Sequence, residues 1–388
     1  MVATVMVRRK RPDPVHCSGP LLLLGLAVFA AGCEGSAPKT APTVAEGKTD
    51  TKTEAPKKKP SRPVPSAAQL LDTAKKYFAP LPATAESAAN PITVEKVALG
   101  RLLYYDTRLS KNHDLSCNSC HKLDDYGVDH EATSPGHKKQ RGERNTPTVY
   151  NAAMHISQFW DGRATDVEDQ ALKPVTNPVE MALADEAACV ASVKSVPGYA
   201  ELFKAAFPSD PDPCNPRNIS LAIGAFERGL VTPAPFDDFL KGNMTALNSD
   251  ALRGLELFIE LNCVSCHTGP TLGGTMYQKL GAVKPYESKD LGRFKVTNKP
   301  EDKFVFKVPG LRNVAKTAPY LHDGSAKELG DALDVMAEYQ LAKGKLADDE
   351  KTYLIAFLDS LTGTIDQDYI KLPELPTSGP DTIKPDPN

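Results

Sequence analysis

With 388 residues, 41% of them hydrophobic and 24% charged, the chain is long enough for two domains with cores of their own, and its composition is that of a soluble globular protein rather than a disordered or bilayer-embedded one. A formal net charge of −3, with no lysine or arginine cluster in the body of the chain, lacks the basic stripe that tracks phosphates, so no nucleic-acid partner is expected.

Arg8, Arg9, Lys10 and Arg11 form a positive n-region, and Leu21 to Ala31 is an apolar run too short to span a bilayer. Small residues then lead into Cys33. Residues 1–32 therefore read as an export signal, and Cys33 as a candidate lipid-anchor cysteine that would leave a periplasmic protein tethered to its membrane. Removal of the signal makes the mature chain more acidic, which suits a basic redox partner. Residues 33–66 are rich in Pro, Lys, Thr, Ala and Glu and nearly free of large apolar side chains, so they cannot bury enough surface to offset ordering. The segment reads as a disordered tether with a reach of roughly 100 Å.

Helical periodicity begins near Ala67, with Leu70, Leu71, Ala74 and Phe78 on one face, and resumes from Thr93 to Tyr105. The first chemical motif comes next, at Cys117-Asn118-Ser119-Cys120-His121, and recurs at Cys263-Val264-Ser265-Cys266-His267. Two cysteines three apart can add to the two vinyl groups of one porphyrin, with the next histidine under the iron. A zinc site or a redox dithiol would leave both histidines unexplained. Gly100-Arg101-Leu102-Leu103-Tyr104 precedes the first motif as Gly254-Leu255-Glu256-Leu257-Phe258 precedes the second, so the chain is internally duplicated. Between the motifs, Asp185 to Lys194, Pro197 to Phe207 and Asn218 to Leu230 read as helices, and Lys241-Gly242-Asn243 as the boundary between halves. Lys327 to Tyr339 and Asp348 to Leu361 have helical spacing, and neither half shows the alternation of a sheet.

The predicted fold is mainly α, with two cytochrome c-like domains, each carrying one covalently attached c-type haem: residues 67–242 and 243–363, followed by a proline-rich tail, 364–388, whose packing the pattern leaves open. Export agrees with this, because c-type haem is attached outside the bacterial cytoplasm. Cys189 and Cys214 lie outside the motifs, and in an oxidising compartment a disulfide between them is expected.

A haem with two protein ligands moves electrons, whereas one with an open position can cleave peroxide. The sixth ligand therefore decides the function of each. Spacing leaves His130, His137 and His155 as candidates for the first iron, and Met276 and Met336 for the second.

Arg144-Asn145-Thr146-Pro147-Thr148, Gln158 to Ala164 around Trp160-Asp161-Gly162-Arg163, and Asn177-Pro178-Val179-Glu180-Met181 together resemble the bacterial dihaem cytochrome c peroxidase family. So do Val308-Pro309-Gly310-Leu311-Arg312-Asn313-Val314, Thr317 to Gly324, and Val335 to Gln340. The resemblance covers roughly Thr93 to Gly363. It implies that His137 is the removable distal ligand opposite His121, and that Met336 is the ligand opposite His267. It further implies that Glu180 is the acid/base carboxylate over the peroxidatic iron, with Gln170, Met181 and Phe159 lining that pocket and Trp160 between the haems. Asn145, Thr317 and Pro319 match positions that hold calcium, the last two through backbone carbonyls.

The implied activity is reduction of hydrogen peroxide to water, with electrons from a small cytochrome c or a cupredoxin entering at the second haem. The family includes dimers, so the resemblance leaves a homodimer open, and the sequence itself does not decide the oligomeric state. The rival readings are a dihaem oxidase that matures a quinone cofactor in a partner protein, which has tyrosine where Met336 stands, and a non-catalytic dihaem electron carrier.

Overall fold

The computed structural model describes Pro63 and residues 66–388. The export signal, nearly all of the tether, and Cys33 lie outside the described residues. Helix α1 (Ala67–Ala74) is followed by α2 (Val94–Tyr105), the short α3 (Cys117–Cys120) on the first motif, α4 (Val167–Ala171) and α5 (Lys173–Thr176). Then come α6 (Glu186–Lys194), α7 (Tyr199–Ala206), α8 (Pro216–Glu227) and α9 (Pro235–Leu240). The second half holds α10 (Ser249–Glu260), α11 (Phe294–Thr297), α12 (Leu329–Tyr339) and α13 (Asp348–Asp359). Side-chain oxygens fix the starts of the main helices: Thr93 accepts from Lys96 N at 3.2 Å, Asp185 from Ala188 N at 2.8 Å, and Asn248 from Ala251 N at 2.8 Å.

The duplication seen in the sequence is a duplication of one helix crossing. In the first half α2 crosses α8 at Gly100, where a Cβ would collide with Ala222 O and come within 3.0 Å of Phe226 Cβ. In the second half α10 crosses α13 at Gly254, where a Cβ would collide with Tyr353 O and come within 2.8 Å of Phe357 Cβ. Four residues on from each glycine an aromatic ring packs beside the crossing: Tyr104 on Phe226 at 5.4 Å, and Phe258 on Phe357 at 5.3 Å. The first core gathers Leu99, Leu103, Phe203, Ile219 and Ile223; the second gathers Leu255, Phe258, Leu354, Phe357 and Leu361.

The two ends of the described chain depart from the expected boundaries. Leu70, Leu71, Ala74 and Phe78, read as part of the first half, are buried in the second core, as are Phe236, Phe239 and Leu240 of α9. The apolar face of α1 finds Phe236 and Phe258 there, which its own periodicity could not specify. The tail crosses the other way. Ile370 is buried with Tyr104 and Phe226, Tyr369 stacks on Phe226 at 5.2 Å, and Arg108 Nη1 donates to Pro376 O at 2.8 Å. Asp237 on α9 and Arg312 pair through two bonds of 2.7 and 2.9 Å, both side chains buried, so α9 is bound to the loop before α12.

Two further expectations are corrected. A two-stranded antiparallel sheet is present, β1 (Tyr277–Lys279) against β2 (Val305–Lys307), with Gln278 opposite Phe306. Three-residue strands are too short to show alternation. The expected disulfide is absent: Cys189 and Cys214 are free thiols, both buried in the first core. Packed among Val193, Phe203 and Ile219, each behaves as a small apolar side chain that needs no bond.

The crossings set the stability of each half. Replacing Gly254 by Ala is expected to cost at least about 3 kcal/mol, because α10 must move off α13. Gly330→Ala, in α12 with open space around it, leaves stability unchanged or raises it by up to about 1 kcal/mol. Chemical unfolding of both variants checks this, and equal effects would contradict it.

Candidate functional site

The first motif is held by its own crossing. Tyr104, fully buried on α2, donates its hydroxyl to His121 O at 2.9 Å, and Leu123 N closes the turn onto Asn118 Oδ1 at 3.0 Å. Burial pushes the Cys117 thiol up, and Cys120 up to about 11, with the charges of Asp129 and Glu180 adding to the latter. The same burial lowers His121, keeping its imidazole neutral and its lone pair free for a metal.

Of the three candidate partners for the first motif, two are engaged elsewhere. His130 binds Ala318 O at 2.9 Å and Asp125 Oδ2 at 3.0 Å. His155 takes Lys307 Nζ on its Nδ1 at 3.2 Å. His137 differs: its side chain is buried and its Nε2 has no hydrogen-bond partner. A buried imidazole nitrogen left unsatisfied is costly in an apolar interior, and an iron would satisfy it.

The loop carrying His137 is bound to the segment carrying Glu180. His137 N donates to Glu180 O at 2.7 Å, and Gly136 lies so close that a Cβ there would collide with Val179 O. Gln140 Nε2 adds bonds to His137 O at 3.1 Å and Pro178 O at 3.4 Å. Lys138 and Lys139 both have positive φ, 55° and 60°, a conformation that side chains other than glycine disfavour.

Glu180 itself is held above the ordinary carboxylate value of 4.5 by burial, with the Arg163 charge and an Asn177 hydrogen bond acting against that rise. Arg163 lies over the Phe159 ring at 3.5 Å. Met181 is buried beside Glu180 in the chain. Gln170 sits half-buried on α4, and its side chain makes no hydrogen bond among the described residues.

In the second half Cys263, Cys266, His267 and Met336 all line one cavity, which Met276 does not reach. His267 Nδ1 donates to Leu272 O at 3.1 Å, which fixes its tautomer and leaves Nε2 as the ligating nitrogen. The donor set fits an iron held by nitrogen and thioether. Tyr339 is turned away from this cavity, its ring against Tyr286 at 5.1 Å with Lys284 Nζ over it at 5.0 Å.

The cavity extends to Trp160, whose Nε1 donates to Asn145 O at 2.9 Å and whose ring stands 6.5 Å from that of His322. Asn145, Thr317 and Pro319 line the same cavity wall. Asn145 Nδ2 donates to Glu131 O at 3.0 Å, so Oδ1 is the side-chain atom suited to a cation. Among the described residues no cluster of three or more His, Cys, Asp or Glu forms a metal site, so a calcium ion here would rely on carbonyl oxygens and water. Sequence reasoning gave Arg163 no role beyond its place in a motif and passed over the buried Lys307. The only signal for the latter was a lysine inside the apolar run Phe304 to Val308.

Comparison with known proteins finds relatives named as cytochrome c peroxidases and as MauG proteins, the latter including the methylamine utilization protein MauG of Methylorubrum extorquens, 31% identical over 94% of this chain and 99% of its own length. A family model described as di-haem cytochrome c peroxidase matches residues 94–245. The cytochrome c551 peroxidase of Nitrosomonas europaea is 47% identical over 77% of this chain and 89% of its own length. That of Pseudomonas aeruginosa is 42% identical over 83% and 94%. Among solved structures, a MauG-like protein associated with microbial copper homeostasis is 30% identical, with a TM-score of 0.69 over 76% of this chain and 97% of its own.

The cavity distinguishes the two methionines. With haem attached, Met336→Leu is expected to lower one haem's reduction potential by at least about 60 mV, a tenfold change in a one-electron equilibrium, while Met276→Leu leaves both potentials unchanged. Spectroelectrochemistry of the two variants measures this.

Proposed function

The chain belongs to the di-haem cytochrome c peroxidase family, and from that membership we propose that it reduces hydrogen peroxide to water with two electrons and two protons. The observation that carries the proposal is the buried, unsatisfied Nε2 of His137, whose own backbone is hydrogen-bonded to that of Glu180. A ligand that must leave and a carboxylate that must act once it has left are thereby on adjoining segments.

Two covalently attached haem c groups would be held by Cys117, Cys120 and His121, and by Cys263, Cys266 and His267; one supplies peroxide cleavage and the other an electron store. With haem bound, His137 would be the residue that holds the first group closed in the oxidised protein, and its loop would move away when the second half holds an electron, a loop switch coupled to redox state. The positive φ values at Lys138 and Lys139 suit such a switch, because a left-handed lysine backbone is disfavoured and is held only by the loop's bonds to its surroundings. Glu180 then takes the first proton of peroxide and returns it to the leaving oxygen. Its buried setting suits this, because a raised pKa brings a carboxyl nearer to the working pH. Met336 would hold the second group together with His267. Trp160 lies on the route between the halves, and its indole is polarisable and firmly oriented by Asn145 O.

The donor in this reading is a small cytochrome c or a cupredoxin, and calcium at Asn145, Thr317 and Pro319 couples the halves. The protein works in the periplasm as a homodimer, with Cys33 as its lipid anchor. Among the described residues no helix is long and apolar enough to cross a membrane. The oxidase and simple-carrier readings find less support: Tyr339 is packed against Tyr286 rather than in the second cavity, and the simple carrier gives Glu180 no role.

Pre-reduced protein is expected to turn over peroxide, and Glu180→Gln to lower that turnover about 10²- to 10⁴-fold with its spectra unchanged. Because the ionised carboxylate acts as the base and burial raises its pKa, wild-type turnover rises with pH through a midpoint above 4.5, and this limb disappears in the variant. Stopped-flow kinetics across pH tests both points. An unimpaired variant would refute the assignment.

A further inference from the structure

Lys307 ends β2 with its side chain only 7% exposed. Its Nζ donates to Ser157 O at 2.9 Å and to His155 Nδ1 at 3.2 Å, while its backbone N–H donates to Trp160 O at 2.8 Å. One residue thus ties down the segment from His155 to Trp160 at three points. A lysine is rarely buried without a carboxylate, yet the effect that governs its ionisation is loss of water, which lowers it to about 8. His155 is held neutral by burial and by the neighbouring ammonium. Its Nδ1 therefore accepts and its proton sits on Nε2.

The His155 ring occupies space that two glycines leave open. A Cβ at Gly274 would collide with the ring, and one at Gly310 would lie 2.8 Å from Nε2. Both glycines adjoin the wall that holds His267: Gly274 comes just after the loop whose Leu272 O accepts from His267 Nδ1, and Gly310 lines the cavity itself. Lys307, His155, His267 and Met336 all line that one cavity. A methionine would fill the volume of the Lys307 stem but could donate neither of the two Nζ hydrogen bonds, so the ammonium both holds the segment and places a charge in the cavity wall.

We propose that Lys307 is a positioning residue for electron transfer between the halves: its buried positive charge favours the reduced state of the group held by His267 and Met336, and its three hydrogen bonds set Trp160. The inference rests on the reading of the second half as the electron store. A positive charge in a dry interior acts strongly on a nearby centre that gains an electron, and among the described residues no protein carboxylate pairs with this one.

The test uses haem-loaded full-length protein carrying Lys307→Met, Lys307→Gln or Lys307→Arg, with the midpoint potential of each haem read by spectroelectrochemistry. The neutral variants are expected to weaken reduction of the second haem about tenfold, a fall of about 59 mV for one electron, and to leave the first haem's potential nearly unchanged. Arg restores the wild-type value. The glutamine variant retains a hydrogen-bond donor, so it separates charge from packing if the methionine variant folds poorly. A wild-type potential in either neutral variant overturns the inference. Failure of the underlying reading looks different: Met336→Leu would then leave the second potential unchanged.

Discussion

The structure depends on a contact that only glycine permits. At Gly100 and again at Gly254 a helix leading into a haem-attachment motif lies directly against the backbone of a later helix. That approach brings Tyr104 and Phe258 beside Phe226 and Phe357, and the motif begins beyond the end of the crossed helix. Tyr104 then bonds directly to His121 O. The two cofactor sites are therefore set by one device used twice.

In the proposed function the halves are not used alike, and the difference lies in the chain downstream of each motif. In the second half a methionine on α12 faces the same cavity as His267. In the first, the histidine nearest in role sits on a loop with left-handed residues, bonded to the neighbouring carboxylate segment. A helix is a rigid platform for a ligand that stays. A strained loop suits one that leaves. The interlaced ends, with α1 in the second core and Ile370 packed on Tyr104 and Phe226 of the first half, bind the halves so that a change in one can be felt in the other.

Much of this was legible in the chain. Paired cysteines with a following histidine name a chemistry by spacing alone, and the glycine-led repeats before them foretold the duplicated crossing. What spacing could not do was choose among His130, His137 and His155, because that choice depends on which nitrogens find partners in three dimensions. His130 meets Asp125 and Ala318, His155 meets Lys307, and His137 Nε2 meets no hydrogen-bonding group. The destination of α1 was hidden for a similar reason: an amphipathic helix states which face is apolar but not which core receives it. Cys189 and Cys214 misled because compartment argues for a bond, whereas an apolar core accommodates free thiols equally well. Lys307 was passed over because a lysine in a short apolar run reads as an edge residue until its three acceptors are seen.

The central claim is that the first iron is closed by His137 and opened by an electron in the second half. Magnetic spectroscopy of the haem-loaded protein, fully oxidised and then after addition of one electron, tests it most directly. The account predicts a six-coordinate, low-spin first haem that becomes high-spin when the second haem is reduced, and a first haem already open in His137→Ala. A five-coordinate first haem in the oxidised protein, active without prior reduction, would contradict it.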